Sequence, residues 1–217
     1  MRTPKPPRSF WFAHVVRATI GILLRLVFRV RLLGRKKLPA GTGYVLAGNH
    51  ISYADPMLLW CAAPKPTHFM AKSELWGHDV IGWGLDMFWA FPVDRGTADR
   101  TALAKAKAYL DAGEPLAIFP EGTRNFAGEA EAQGGAAFIA MRSRVPLVPV
   151  GITGTAGIKP KGSRFIHFPR VTISVGEPVR AEDFPGLARK EVVEAMTAEV
   201  MRRVAGEVAH AREVRPS

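Results

Sequence analysis

The sequence predicts an α/β fold in which a mixed, largely parallel sheet is flanked by helices and preceded by an N-terminal amphipathic helix. Two observations predict the sheet and its helices: short apolar runs alternate with helical segments along most of the chain, and polar motifs follow the ends of two of those runs. A third observation predicts the separate N-terminal helix, because basic residues are concentrated in the first part of the chain.

The apolar runs, and the glycine and proline residues between them, predict the order of the helices and strands. We expect strands at 44–47, 67–71, 88–93, 115–119, 146–152 and 171–175. We expect helices at 97–112, 133–142 and 187–212, with the first of these stopped by Gly113. Asp55 and Pro56 predict the start of another helix, with Asp at the cap and Pro at the first helical position. Residues 34–43 contain Pro39 and several glycines and are expected to form a linker.

Composition excludes several classes of protein. The chain has 217 residues, of which 47% are hydrophobic and 23% charged, so it can bury a core and is not intrinsically disordered. The single cysteine, Cys61, excludes an intrachain disulfide framework, and no cysteine or histidine spacing predicts a metal site.

The net charge of +11 is unevenly distributed. Residues 1–37 hold ten of the thirty Lys and Arg residues and no carboxylate, and the first carboxylate in the chain is Asp55. The remaining residues hold twenty Lys and Arg against nineteen Asp and Glu, so the body of the protein is nearly neutral. Since nucleic-acid binding requires a basic face on the folded domain, we expect no nucleic-acid partner.

The basic N-terminal segment has the pattern of a helix that lies on a membrane. Arg17 and Arg25 interrupt its apolar run before it reaches the roughly 20 residues that a spanning helix needs. At helical spacing, one half of the surface is cationic and the other apolar; the two sets are His14, Arg17, Arg25, Arg29 and Arg31, against Phe12, Val16, Ile20, Leu23, Val27 and Val30. We therefore predict a membrane-anchoring segment at 1–37, which binds an anionic membrane surface, and a domain at 38–217. The alternative is an ordinary amphipathic helix packed on the domain.

His50 and Asp55 are candidate catalytic residues. His50 follows an apolar run, and Asp55 comes five positions later, so the loop between them can bring the carboxylate back to the imidazole. A histidine that takes a proton needs such a partner to fix its tautomer and to stabilise the cation. The alternative is that Asp55 only caps the following helix and that His50 is a loop histidine without a catalytic role.

The segment from Glu121 to Arg124 is a candidate anion site. Arg124 and the backbone amides around Gly122 and Thr123 can cradle a phosphate, while Glu121 orients the arginine or a substrate hydroxyl. Arg95 is a second candidate cation at a strand exit. The alternatives are a turn with a surface ion pair for the first segment and a solvated turn arginine for Arg95. Together with His50, these residues point to chemistry on a phosphorylated substrate that carries a hydroxyl.

Four motifs in order resemble the conserved blocks of the glycerolipid acyltransferases, most closely the 1-acylglycerol-3-phosphate acyltransferases. The motifs are Asn49-His50-x-Ser52-x-x-Asp55-Pro56, Val93-Asp94-Arg95, Phe119-Pro120-Glu121-Gly122-Thr123-Arg124 and Val148-Pro149-Val150. The resemblance extends from Tyr44 to Thr155. Pro92 and Gln133 depart from it, since a bulky apolar and a basic residue are common at those positions.

The resemblance implies an enzyme that transfers a fatty acyl group from a thioester to the hydroxyl of a lysophospholipid, most simply 1-acyl-glycerol-3-phosphate. His50 would be the base and Asp55 its partner, and Arg95, Glu121, Gly122, Thr123 and Arg124 would bind the acceptor. It implies no cofactor, a coenzyme A or acyl carrier protein thioester as co-substrate, and a monotopic position on the cytoplasmic face of a membrane. The alternatives are another acceptor, such as an amino-acid-containing lysolipid, or a non-catalytic lipid-binding module. Hydrolysis ranks lower because the sequence has no serine or cysteine elbow.

Overall fold

The computed structural model describes residues 10–65, 67–94, 99–121, 134–160 and 162–214, without the side chains at 10–14, 16, 17, 61 and 62. Seven strands form one sheet in the order β1-β7-β6-β2-β5-β3-β4. Their bounds are β1 Arg31–Leu33, β2 Val45–Gly48, β3 His68–Lys72, β4 Ala90–Val93, β5 Leu116–Ile118, β6 Leu147–Thr153 and β7 Thr172–Val175. The predicted α/β architecture with a mixed, largely parallel sheet is confirmed.

The direction of the strands determines which loops meet. Strands β2 to β6 are all parallel, whereas β7 runs antiparallel to β6 and parallel to β1. The segments that follow β2, β5 and β6 therefore leave the same edge of the sheet, called here the carboxyl edge. Ligand sites in open α/β sheets lie at this edge.

Among the described helices, three pack on each face of the sheet. Their bounds are α1 Phe10–Val27, α2 Asp55–Ala62, α3 Asp79–Met87, α4 Arg100–Asp111, α5 Gly135–Ser143 and α6 Arg189–Glu213. Apolar residues of α1, α2 and α3 pack on one face, in a cluster that includes Trp60 and Phe88. Apolar residues of α4, α5 and α6 pack on the other, in a cluster that includes Leu110 and Met196. The strands β2, β6 and β7 are thus fully buried, as is typical of a sheet covered on both faces.

The packing of α6 on β6 depends on a glycine. A Cβ atom at Gly151 would lie 2.4 Å from the backbone carbon of Glu207 and 2.4 Å from the backbone nitrogen of Val208. Only a residue without a side chain lets the helix approach the strand this closely.

Several elements differ from the sequence predictions. β1 and α3 were not predicted, and the helix predicted at 97–112 begins at Arg100 because the Asp99 carboxylate caps it, accepting a hydrogen bond from the Ala102 amide at 2.9 Å. Pro92 lies in β4, an edge strand of the described sheet, where a missing amide hydrogen is tolerated.

The apolar side chains of helix α1 are divided between the core and the surface. Ile20, Leu24 and Val27 pack against the core, whereas Ile22, Leu23 and Leu26 are 59%, 58% and 70% exposed. Within the described ranges, no helix combines the length and the apolar character needed to cross a membrane. The anchoring role of residues 1–37 stays a prediction, and Arg31–Leu33 within that segment forms the edge strand β1.

Candidate functional site

The loop that follows β2 is fixed to the neighbouring strand β6 by the side chain of Asn49. Its Oδ1 accepts a hydrogen bond from the Ile152 amide at 2.7 Å, and its Nδ2 donates to the Ile152 carbonyl at 3.0 Å. Both groups are buried, so the amide continues the pairing of β2 and β6 beyond the last strand residue, Gly48. The next residue in the chain, His50, thus starts from a defined position at the carboxyl edge.

Asp55 is fully buried, and one of its oxygens organises the loop. Oδ2 accepts hydrogen bonds from the backbone amides of Ile51 at 2.8 Å and Ser52 at 2.7 Å. Its side chain does not cap α2, because the cap residue is Ala54, which makes no capping side-chain bond. The predicted placement of Asp55 at the helix cap is therefore wrong. The carboxylate instead bonds backward, to the amides that precede the helix.

The same oxygen contacts His50. Nδ1 of the imidazole lies 3.2 Å from Oδ2 of Asp55, and the His50 side chain remains 18% exposed while that of Asp55 is 0% exposed. Because a carboxylate accepts hydrogen bonds, Nδ1 is the ring nitrogen that can donate to Asp55, which leaves Nε2 as the nitrogen that can take up a proton.

Phe119, which follows β5, supports the imidazole from its face. The two rings stack with centroids 4.4 Å apart and planes inclined by 25°. The ring plane of His50 is therefore restrained by Phe119 as well as by Asp55.

Glu121 is brought to the same place by the end of β5. Its Oε2 accepts a hydrogen bond from the backbone amide of His50 at 3.3 Å. The structure thus joins His50, Asp55 and Glu121, three of the predicted site residues, through direct contacts. Their roles in catalysis and in acceptor binding stay predictions.

The other predicted site residues, Arg95, Gly122, Thr123 and Arg124, lie outside the described residues. The residue before Arg95, Asp94, is held by two hydrogen bonds. Its amide donates to the Asp99 carboxylate at 3.1 Å, and its carboxylate accepts from the Ser73 hydroxyl. The backbone hydrogen bonds from Ala102 and Asp94 lower the pKa of Asp99 below its ordinary value.

Sequence reasoning missed the structural roles of two residues in this site. Asn49 stood within a motif, but its contact with Ile152 depends on β6 lying beside β2. Phe119 was assigned to a strand, but its contact with His50 depends on β5 lying on the other side of β2. The only sequence signal for either is its position at the end of an apolar run.

Comparisons with known proteins identify the family of this chain. The sequence profile of a family described as Acyltransferase matches residues 29–153. The chain is 32% identical to the 1-acyl-sn-glycerol-3-phosphate acyltransferase of Bacillus subtilis over 184 residues, which cover 84% of this chain and 90% of the Bacillus protein. It is 33% identical to the protein of the same name from Streptococcus pneumoniae over 142 residues. That match covers 51% of the Streptococcus protein, so the chain spans about half of its length.

A solved structure is also similar. The crystal structure of the 1-acyl-sn-glycerophosphate acyltransferase PlsC from Thermotoga maritima matches with a TM-score of 0.71 and 25% sequence identity. The match covers 97% of this chain and 86% of that protein. The likeness therefore includes the sheet and the helices on both of its faces.

Proposed function

We propose, from the premise that this chain belongs to the acyltransferase family, that it transfers a fatty acyl group from an acyl thioester to the free hydroxyl of a lysophospholipid. The proposed acceptor is 1-acyl-glycerol-3-phosphate and the product phosphatidic acid. The relatives from Bacillus subtilis and Streptococcus pneumoniae carry names with that acceptor, which supports the choice.

One observation carries the proposal: Nδ1 of His50 lies 3.2 Å from the buried carboxylate of Asp55. A carboxylate without solvent is costly unless it is hydrogen-bonded, and here two backbone amides and the imidazole share one of its oxygens. This is the arrangement that an imidazole needs in order to remove a proton from an alcohol.

In the proposed reaction, the acceptor hydroxyl gives its proton to Nε2 of His50 while its oxygen attacks the thioester carbonyl. The resulting imidazolium is stabilised by the negative charge of Asp55. The tetrahedral intermediate then expels the thiolate, which takes the proton back from Nε2. An ester bond forms, a thioester bond breaks, and the products are a diacylated lipid and a free thiol.

The phosphate of the acceptor requires cations. The sequence predicts that Arg95 and Arg124 supply them, and that the backbone amides around Gly122 and Thr123 donate further hydrogen bonds. Glu121 is assigned a positioning role within this proposal, because its carboxylate bonds the His50 amide at 3.3 Å and so fixes the backbone of the base.

The acceptor is a membrane lipid, so the enzyme is proposed to work at a bilayer. Residues 1–37, with ten Lys and Arg residues and no carboxylate, would bind an anionic membrane surface on its cytoplasmic face. Ile22, Leu23 and Leu26, which are 59%, 58% and 70% exposed, are available for apolar contact with lipid.

The test is an acyl-transfer assay of the purified full chain, read by mass spectrometry. The acceptors are 1-acyl-glycerol-3-phosphate, lysophosphatidylcholine and an amino-acid-containing lysolipid, each offered with acyl-coenzyme A and with acyl-acyl carrier protein. The proposal expects phosphatidic acid as the main product. A preference for the amino-acid-containing acceptor would overturn the acceptor assignment, and vesicle binding without product from any acceptor would identify a lipid-binding module.

A further inference from the structure

Most of the exposed large apolar side chains lie on α1 or in segments that leave the carboxyl edge of the sheet. Of the thirteen exposed large hydrophobic residues in the described ranges, four lie on α1 and eight in the segments that follow β2, β3 or β6. The eight are Tyr53, Leu75, Val80, Ile81, Trp83, Phe165, Ile166 and Phe168. Leu187 is the remaining one. Exposed apolar residues that are grouped together mark an interaction site, whereas scattered ones do not.

The segment between β6 and β7 holds three of these residues close together. In residues 162–170, called here the aromatic loop, Phe165, Ile166 and Phe168 are 76%, 62% and 55% exposed. Side chains of this size gain free energy when they leave water, so three of them within four residues need a partner that covers them.

The aromatic loop has a defined backbone. The His167 amide donates to the Ile158 carbonyl at 2.8 Å, and the Ser163 hydroxyl oxygen accepts a hydrogen bond from the Phe165 amide at 3.2 Å. The Ser163 hydroxyl also lies 3.2 Å from Nε2 of His167. The three apolar side chains are therefore held outward by a turn that is already formed.

The loop leaves the same edge of the sheet as the catalytic histidine. β2 and β6 are parallel, with Gly48 opposite Val150. Directly after β2, the side-chain amide of Asn49 donates a hydrogen bond to the Ile152 carbonyl of β6. The chain continues from β2 to His50 and from β6 to the aromatic loop. A surface that covers the loop would therefore face the carboxyl edge, where the acceptor must enter.

The loop also adjoins the end of α1. The rings of Phe28 and Phe168 lie 5.7 Å apart, and the Phe28 carbonyl accepts a hydrogen bond from the Val171 amide at 3.0 Å. The exposed apolar residues in the last two turns of α1, Ile22, Leu23 and Leu26, thus belong to an element that is fixed to the loop.

The charges around the loop identify the partner. Lys159, Arg164 and Arg170 are exposed, and within the described residues none of them pairs with a carboxylate. The sequence has no Asp or Glu between residues 134 and 176, nor in the first 54 residues that include α1. Apolar side chains surrounded by unpaired cations match a bilayer surface, which offers acyl chains beneath anionic phosphates.

From this we propose that the aromatic loop inserts into the bilayer interface as a second membrane contact, separate from residues 1–37 and carried by the catalytic domain itself. The membrane would then contact the protein at α1, which precedes Phe28, and at the aromatic loop, which packs on Phe28. Two such contacts fix the orientation of the domain, so that the carboxyl edge faces the lipid. The inference rests on the proposed function in one respect, namely that the acceptor is delivered from the bilayer.

The first test measures binding of the full chain to vesicles of phosphatidylcholine with and without 30 mol% phosphatidylglycerol. The Phe165→Ser/Phe168→Ser variant is compared with Leu187→Ser, an exposed apolar residue, 45% accessible, that follows the Leu147–Val179 bridge at the opposite edge of the sheet. We expect the loop variant to bind about tenfold more weakly or worse, and Leu187→Ser to bind as the wild type does. Equal binding by the two variants would overturn the proposal.

The second test compares acyl transfer to an acceptor held in vesicles with transfer to a short-chain acceptor dissolved in water. The loop variant should lose turnover on vesicles and keep it in solution. Equal loss on both acceptors would mean that the loop lines the substrate pocket or is needed for folding. If the wild type is a dimer and the loop substitutions dissociate it, the partner of the loop is a second copy of the chain. Either result overturns the proposal. If the wild type acylates no acceptor, the proposed function fails, while the vesicle-binding comparison still decides the role of the loop.

Discussion

The imidazole of His50 stacks on the ring of Phe119, with centroids 4.4 Å apart and planes inclined by 25°. The two residues belong to loops that follow neighbouring parallel strands, β2 and β5. The contact leaves the ring nitrogens free to make their in-plane hydrogen bonds while it restricts rotation of the imidazole. Phe119 is therefore a positioning residue in this account.

Replacement of Phe119 by leucine tests that role. The smaller, non-planar side chain should let the imidazole tilt away from Asp55, and misplacement of a catalytic group by about 1 Å can cost about 10²-fold in rate. We expect kcat to fall by about 10- to 100-fold with little change in the acceptor KM. Phe138→Leu, a half-buried phenylalanine on α5 across the sheet, is the matched control. A similar loss of kcat in both variants would assign the effect to packing.

Replacement of Asp55 by asparagine separates charge from geometry. An asparagine oxygen in the place of Oδ2 can still accept from Ile51, Ser52 and His50, so the loop and the histidine tautomer should persist without the negative charge. We expect kcat to fall by about 10²–10⁴-fold. A kcat within threefold of the wild-type value would show that the charge of Asp55 is not used.

The same variant should also be less stable. The new amide nitrogen would take the place of Oδ1, which is buried and has no hydrogen-bond partner among the described residues. An unsatisfied buried donor costs about 1–3 kcal/mol, and chemical denaturation with circular dichroism measures this loss of unfolding free energy. A variant as stable as the wild type would mean that the amide finds an acceptor.

Two glycines give opposite predictions for stability. Gly151→Ala would place its Cβ 2.4 Å from the α6 backbone and force the helix away from β6, at a cost of about 1–3 kcal/mol or more. A Cβ at Gly206 within α6 would meet no heavy atom within 4 Å beyond the neighbouring backbone of its own helix, so Gly206→Ala should stabilise the helix by about 1 kcal/mol. Thermal unfolding of both variants measures the difference. Similar melting temperatures would contradict the close approach of α6 to β6.

His68 makes stability depend on pH. Burial lowers the pKa of His68 below its ordinary value, although the Glu114 carboxylate, 2.6 Å from Nε2, acts in the opposite direction. The unfolded chain therefore binds a proton more readily than the folded protein, so the stabilisation is present above the unfolded pKa of about 6.5 and is lost as the pH falls through it.

We expect the free energy of unfolding to decrease between pH 7.5 and pH 5.5, by less than about 1.4 kcal/mol for each pH unit from this one group. Urea denaturation at the two pH values measures the decrease, and His68→Gln should show a smaller one. An equal decrease in the variant and the wild type would remove His68 as the cause.

The fold was largely predictable because most of its elements are encoded locally. β2 and β6 are apolar runs of strand length, and α4 has apolar residues at helical spacing followed by Gly113. β1 was missed because its three residues become a strand by pairing with β7, far along the chain. α3 was missed because Gly82, Trp83 and Gly84 have low helix propensity, and packing of the helix on the core overrides that preference.

The site was predictable only in part. The spacing of His50 and Asp55 predicted that they meet, because a short loop joins them. The hydrogen bonds that two backbone amides donate to Asp55 depend on the conformation of that loop. The absence of a capping bond from Asp55 to α2 depends on it as well. The contacts of Asn49 and Phe119 depend on the order of strands in the sheet, which local sequence does not determine.

The most direct test of the central claim is the rate of acyl transfer to 1-acyl-glycerol-3-phosphate by His50→Ala, measured by mass spectrometry beside the wild type and beside His210→Ala, an exposed histidine on α6. If His50 is the base, His50→Ala should retain the native circular dichroism spectrum and lose at least about 10²–10⁴-fold in kcat, while His210→Ala stays at the wild-type rate. A folded His50→Ala protein that keeps most of its transfer activity would contradict the account.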